Sequence, residues 1–286
     1  MTTESLENLA RAAREGDRES LERLVLSIQD RIHGLAIRML WNSEDARDAT
    51  QEILIRIVTR LGTFRGASSF ATWAYRVAAN YLLTARKSRL EEQRYTFPRF
   101  GAELEEGLSA EAAPRGGADT ALLLEEVKIG CTLGMLQCLD RPHRLAYVLG
   151  EILEMEGEEA GRVLGIRPAA FRKRLSRARD AVVAFTRASC GLVNPDRPCR
   201  CHRRLPAALR LGRVVPGRPL FAADAEQAKR FPVVLAEIRR LEDVRRAAAL
   251  FRSHPPLPAP ADTVANIRRL LGIGSATRGQ ADGPAG

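Results

Sequence analysis

The sequence predicts an all-α protein, and three observations carry that expectation. Apolar residues recur at spacings of three and four along nearly every ordered segment. Strict period-two alternation, the mark of a half-buried strand, is absent from the first 190 residues. Aromatics make up only 5% of the chain while Ala, Leu and Arg dominate, a composition that favours helices over an aromatic-rich sandwich. Hydrophobic residues at 45% and charged residues at 28% describe a folded chain, and 286 residues leave room for about two domains.

Leu21, Leu24, Val25, Ile28 and Ile32 line one face of a first long helix. A polar start at Asn42-Ser43, with acids in the next turn, opens a second whose stripe is Ala46, Ala49, Ile53, Ile57 and Leu61. Ser68-Ser69 begins a third, striped by Phe70, Trp73, Ala74, Val77 and Tyr81. Residues 1–95 are therefore expected to form a compact helical bundle. From Gly101 to Glu126 there are seven acids and one base, together with Pro114, Gly116 and Gly117, so residues 96–121 read as a flexible acidic linker. A second small helical domain spans residues 122–188. Beyond it lie a mostly helical, cysteine-containing extension (189–273) and a small, polar tail expected to be disordered (274–286).

The net charge of +10 and pI near 10.0 call for a polyanionic partner, either nucleic acid or an anionic membrane surface. No apolar run approaches the ~20 residues of a membrane span, and the N-terminus has no apolar secretory core. The expected compartment is the cytoplasm, with no membrane partner and with the five cysteines reduced.

Glu158–Arg179 reads EEAGRVLGIRPAAFRKRLSRAR. Ala160, Val163 and Leu164 give a short amphipathic helix. Gly165 suits the positive φ of a tight turn, Ile166 plugs the space between two helices, and Pro168 suits the first turn of the next. Phe171, Leu175, Ala178 and Val182 then form a buried stripe, leaving Arg172, Lys173, Arg174 and Arg177 facing out. This is helix-turn-helix geometry, with bases placed for phosphates and guanine edges. A basic run alone would more simply be a solvated face; the glycine turn, the proline start and the one-sided charge together favour DNA binding.

Asp45, Asp48, Gln51 and Glu52 lie opposite the apolar stripe of their helix. After the turn at Phe64–Ser69, the next helix offers Arg76, Asn80, Arg86, Lys87 and Arg89 beside Trp73, Tyr75 and Tyr81. Bases interleaved with aromatics suit unstacked single-stranded nucleic acid. By itself Trp73 at helical spacing more simply fills a core, and an acidic face is more simply a solvated one.

Taken together, DxxDxxQE at Asp45–Glu52, SSFxTWxYRVAxN at Ser68–Asn80 and LGIxxxxFxxRLxRAR at Leu164–Arg179 resemble the two core domains of bacterial RNA polymerase sigma factors. The likeness is to the small extracytoplasmic-function (ECF) group and covers about residues 5–188. It implies a non-enzymatic factor that binds core RNA polymerase and directs promoter-specific initiation. Asp45, Asp48, Gln51 and Glu52 look like the surface that docks on the β′ clamp, with the β subunit also contacted. Phe64, Arg65, Ser68 and Ser69 are similar to the loop that captures a flipped base of the melted non-template strand at the minus-ten element, which Arg76, Asn80, Arg86 and Lys87 would hold. Arg167, Ala169, Ala170, Arg172, Lys173, Arg174 and Arg177 resemble the reader of the duplex minus-thirty-five element. The acidic linker looks like the segment threaded toward the RNA exit channel, and an anti-sigma factor is a further partner the group implies. The chain departs from the group at Gly161, where Ala is usual and where Gly is expected to weaken the helix by ~1 kcal/mol. Ala169 and Ala170 stand for the usual Gly and Thr, and Glu154, Glu156, Glu158 and Glu159 make the approach unusually acidic.

The sigma-like part ends near Ala188. The extension begins SCGLVNPDRPCRCHRRL, in which Cys190, Cys199, Cys201 and His202 offer the complement of a tetrahedral zinc site, though C-x8-C-x-C-H is not a standard finger spacing. Nearby Arg197, Arg200, Arg203 and Arg204 would alternatively lower the thiol pKa values and make the thiols redox-reactive. Zinc, reactive thiols and neither all stay open at this point, and no cofactor is required. Cys131 and Cys138 are expected in the core. Farther on, Val234, Leu235, Ile238, Leu241, Val244, Ala248 and Phe251 form a stripe that reads as a structural hairpin or as an in-chain regulator. Two rivals stand beside the sigma reading. A stand-alone helix-turn-helix regulator with a metal- or redox-sensing tail explains Glu158–Arg179 but not Asp45–Asn80. A metalloenzyme at the cysteine cluster lacks a general base pattern.

Overall fold

The local chemistry of the chain sets its helix boundaries. The structure is a computed structural model that describes residues 5–85, 95–108, 118–221, 225–241 and 243–270. Helix α1 (Leu6–Arg14) starts on Ser5, whose hydroxyl accepts from Asn8 N, and α2 (Arg18–Leu40) starts on Asp17, which accepts from Glu19 N. Helix α3 (Ser43–Thr59) is capped by Asn42, which accepts from both Glu44 N and Asp45 N. Ala46, Ala49, Ile53 and Ile57 on its inner face are all buried, as their spacing predicts. After a 3₁₀ turn at Leu61–Thr63, α4 (Phe70–Thr84) begins at Ser69. Glu7 of α1 accepts from Phe70 N (3.0 Å), tying the two helix starts together.

The expected linker is corrected over part of its length. Residues Phe97–Glu106 form helix α5, capped by Thr96, with Phe100 and Leu104 buried. Tyr95 is buried just before it; Phe100 stacks on Phe185 and Phe97 packs tilted against the same ring, at 5.6 and 5.1 Å between centroids. The net negative charge masked an apolar spacing of three and four that is present in the sequence.

Helix α6 (Ala118–Gln137) is followed by α7 (Arg141–Tyr147), which runs into a π turn at Val148–Ile152. Then come α8 (Gly157–Leu164) and α9 (Pro168–Ser189). Arg144 of α7 is wholly buried. Its guanidinium donates to the carbonyls of Leu136 at the end of α6 and Leu139 just beyond it (both 2.9 Å), and to that of Met39 at the end of α2. A cation set among helix C-terminal carbonyls satisfies groups that have no partner within their own helices. It also joins the two expected domains, whose apolar side chains form one continuous core.

The extension is folded against both. It comprises α10 (Cys201–Arg210), α11 (Ala225–Arg239), α12 (Asp243–Arg252) and α13 (Thr263–Leu270). Ala247, Phe251, Leu257 and Ile267 enter the common core. Arg204 donates to the Glu103 and Leu104 carbonyls (3.1 Å each) at the end of α5, and Glu126 of α6 accepts from Leu220 N and Phe221 N (2.9 and 2.7 Å). At the far end, Arg47 pairs with Asp262 and Arg268 with Glu22, so α13 lies along α2 and α3. The predicted stripe Val234–Phe251 is shared by α11 and α12, a helical hairpin. Among the described residues there is no strand, only an isolated parallel bridge between Cys190 and Cys199. No helix among them is long and apolar enough to cross a membrane.

Candidate nucleic-acid interface

The helix-turn-helix forms as the local sequence dictates. Gly165 closes α8 at φ +64°, the left-handed region that glycine enters at no steric cost. Pro168 occupies the first turn of α9, and Phe171, Ala178 and Val182 are buried. Arg167, Ala169, Ala170, Arg172, Lys173 and Arg177 are exposed on the opposite side, while Arg174 is half-buried. Arg179 is turned to structural use: its Nε donates to the buried Glu151 (2.9 Å). Gly161 has a reason that the sequence did not disclose. A Cβ there would stand 2.9 Å from the Ile166 carbonyl oxygen and 3.5 Å from Pro168 N. The glycine lets the turn close against α8, so its cost in helix propensity is offset by the close approach.

On α3, Asp45 and Asp48 are exposed and Gln51 and Glu52 are half-buried. Glu52 accepts from Arg56 Nε (2.8 Å), and the Arg56 guanidinium lies 4.7 Å from the Tyr81 ring centroid. The outer face of α3 thus carries acids that stand clear of the core. In the following turn Arg65, Ser68 and Ser69 are at the surface, but Phe64 is not. It is buried against Phe70 and Trp73, 5.4 and 5.6 Å between centroids, because the turn brings three aromatic rings together over the core. The ring of Phe64 therefore faces the core, and Arg65, Ser68 and Ser69 are the members of this loop at the surface. Ser69 caps α4, accepting from Thr72 N (3.1 Å). Arg76 and Asn80 are exposed on α4; Arg86 and Lys87 lie outside the described residues.

The two faces do not lie apart. Helix α8 packs across α4, and the Thr72 hydroxyl donates to Glu159 (2.7 Å). The Arg76 guanidinium reaches the turn at Gly165.

The cysteines are also rearranged relative to expectation. Cys190, Cys199 and Cys201 line one small cavity, but its fourth thiol is Cys131 of α6, and His202 does not line it. Cys131 had no local signal, since it lies 59 residues before Cys190. The expected lowering of thiol pKa values by the neighbouring arginines is reversed. Burial raises Cys190 and Cys201 and pushes Cys199 up to about 11, outweighing Arg200 and Arg204. All five cysteines are free thiols, and among the described residues no group of three or more His, Cys, Asp or Glu side chains is placed to hold a metal ion.

The sequence also gave no hint of two buried histidines in matching settings. His33 meets the Thr50 hydroxyl at 3.0 Å, and Thr50 donates to the Ala46 carbonyl (2.6 Å). His254 meets Thr132 at 2.7 Å, and Thr132 donates to the Ile129 carbonyl (2.9 Å). In both cases the hydroxyl proton is committed to a carbonyl, so the imidazole N–H is the donor. Burial lowers both histidine pKa values.

A basic helix-turn-helix and an acidic helical face on one chain define the class: a helical protein that presents two oppositely charged surfaces. The family model for Sigma-70 region 2 matches residues 24–90. The chain is 31% identical over 185 residues to the RNA polymerase sigma-H factor of Pseudomonas aeruginosa, covering 64% of this chain and 94% of that protein. It is 28% identical over 181 residues to the ECF RNA polymerase sigma-E factor of Escherichia coli strain K12, covering 61% and 90%. Among solved structures, the sigma factor RpoE of Bartonella quintana, crystallised with the anti-sigma factor NepR, matches at 17% identity and TM-score 0.39 over 58% of this chain and 95% of that one. The chain belongs to the RNA polymerase sigma factors, and its likeness is to the ECF group.

Proposed function

We propose that the chain binds core RNA polymerase through the outer face of α3 and reads promoter DNA with α4 and α9, acting in the cytoplasm by binding rather than by catalysis. The observation that carries this reading is the pairing of exposed Asp45 and Asp48 on α3 with exposed Arg172, Lys173 and Arg177 on α9. Each charge set suits a different partner. Acids on a docking face set orientation and association rate against a basic polymerase surface. Bases on α9 neutralise phosphates and reach guanine edges in a major groove. Arg65, Arg76 and Asn80 are exposed and suited to a melted strand.

The closed arrangement bears on mechanism. Elements some 25 base pairs apart are separated by ~85 Å at 3.4 Å per step. A 15-residue helix such as α4 spans ~22 Å, so a promoter read at both elements requires the contact of α8 with α4 to open. An anti-sigma factor is a further candidate partner, and the extension folded over both units is suited to a regulatory role.

The test is association with core polymerase and with promoter DNA by two variant pairs. Asp48→Ala with Glu52→Ala should keep its helical content and bind core polymerase at least about tenfold more weakly. Arg174→Ala with Arg177→Ala should bind core polymerase normally. In complex with polymerase it should hold promoter DNA more weakly, with the salt slope reduced by about one for each phosphate that is no longer neutralised. Duplex binding by the protein without any association with polymerase would favour a stand-alone regulator instead.

A further inference from the structure

Cys131, Cys190, Cys199 and Cys201 come from three separate parts of the fold: the middle of α6, the C-terminal end of α9 and the start of α10. The bridge that pairs Cys190 with Cys199, with Gly191 N donating to the Cys199 carbonyl (3.0 Å), fixes two of them side by side. All four line a cavity of about 20 Å³, whose other walls include Val127, Met135 and Leu250. That volume accommodates about one atom the size of a water oxygen. Lys128, Thr132 and Arg204 also line it, but the surface it presents is apolar, and four sulfurs are the ligand set of a closed structural zinc site.

We infer that these four thiols form a tetrahedral site for one thiophilic divalent cation of the zinc class, which staples the start of the extension to α6. The charge around the site agrees. Four thiolates and a divalent cation leave a net charge of −2; Arg200, Arg203 and Arg204 act on Cys199, while on Cys201 Lys128 is opposed by Glu125, its buried ion-pair partner. Such cations stabilise the deprotonated, metal-bound cluster in a low-dielectric setting. A route for the ion is present: Cys131 and Arg204 also line a neighbouring cavity of about 250 Å³. Among the described residues no three such side chains are placed to hold a metal ion as they stand, so the proposed site requires the sulfurs to close on the ion. Each coordinated thiol gives up its proton and no electron moves, so affinity rises with pH. The fifth thiol, Cys138, does not line the cavity and takes no part.

The experiment is titration of the purified full chain, prepared metal-free under reducing conditions, with Co(II) and then Zn(II). The expected result is one Co(II) per chain with a thiolate-to-cobalt charge-transfer band and tetrahedral d–d bands, displaced by Zn(II). Cys131→Ser should weaken binding by more than roughly a hundredfold, since even outer-shell losses cost 10–100-fold. Cys138→Ser and His202→Ala should bind as wild type. If Cys131→Ser proves misfolded by circular dichroism, alkylation of the wild-type chain decides. Zn(II) should then shield Cys131, Cys190, Cys199 and Cys201, as read by peptide mass spectrometry. The inference is overturned if the chain takes up no Co(II), if binding survives Cys131→Ser but needs His202, or if Zn(II) leaves Cys131 as reactive as before.

Discussion

Gly161 sits where helix propensity and packing pull in opposite directions. Ala would gain about 1 kcal/mol of propensity in an open helix. Here its Cβ would meet the Ile166 carbonyl oxygen at 2.9 Å, and backbone cannot swing away as a flexible side chain does. Gly161→Ala is therefore expected to destabilise the protein by about 1–3 kcal/mol, as overpacked positions do. A urea midpoint at or above the wild-type value would contradict that account of the turn. The same scale shows where sequence reading stops. The caps at Asn42 and Ser69 and the positive φ of Gly165 were legible because each depends on near neighbours. The buried Arg144, the two His–Thr pairs and the place of Cys131 depend on residues far away in the chain, and no local pattern announces them.

Among the elements, α3, α4, α8 and α9 were readable because their apolar stripes follow the helical period and their starts carry capping chemistry. Helix α5 was missed although Phe97, Phe100 and Leu104 keep that period, because net charge and nearby Pro and Gly suggested a tether. Phe64 turns inward because three aromatics within ten residues prefer each other to water. The contact of α8 with α4 could not be foreseen, since it joins two separately readable units. Thr72→Val removes the hydroxyl that reaches Glu159 while keeping the side-chain shape. A hydrogen bond to a charged group contributes about 1.5 kcal/mol or more, so the open population should rise roughly tenfold. Energy transfer between dyes on α4 and α9 reads this directly; an unchanged distance distribution would show that the contact does not hold the units together.

For the molecule as a whole, the extension is the least legible part, because its role in the fold is to cover surfaces made by other segments. Phe251 and Ile267 belong to a core begun near Leu9, and Arg47 meets Asp262 across 215 positions of sequence. This long-range closure sets a pH dependence. His254 is buried, and burial, with Arg38 and Lys128 adding to it, holds its pKa well below the ordinary 6.5; burial lowers His33 as well, against the pull of Asp30. The unfolded chain therefore takes up protons near pH 6.5 that the folded chain refuses. The stability these neutral imidazoles contribute is fully present above that pH and is lost as the pH falls below it, by up to about 1.4 kcal/mol per pH unit for each residue. Denaturation midpoints followed downward from neutral pH should fall, and His254→Gln should flatten the slope. A midpoint independent of pH in that range would remove the histidines from the account.

The central claim is that one chain supplies both a polymerase-docking face and promoter-reading helices. Run-off transcription with the host's purified core RNA polymerase on genomic promoter fragments tests it most directly. The account predicts transcripts with defined start sites that depend on added protein and are lost in the Asp48→Ala, Glu52→Ala variant. Core polymerase that starts at the same sites without the protein, or that gains no specific start when the full chain is added, would contradict it.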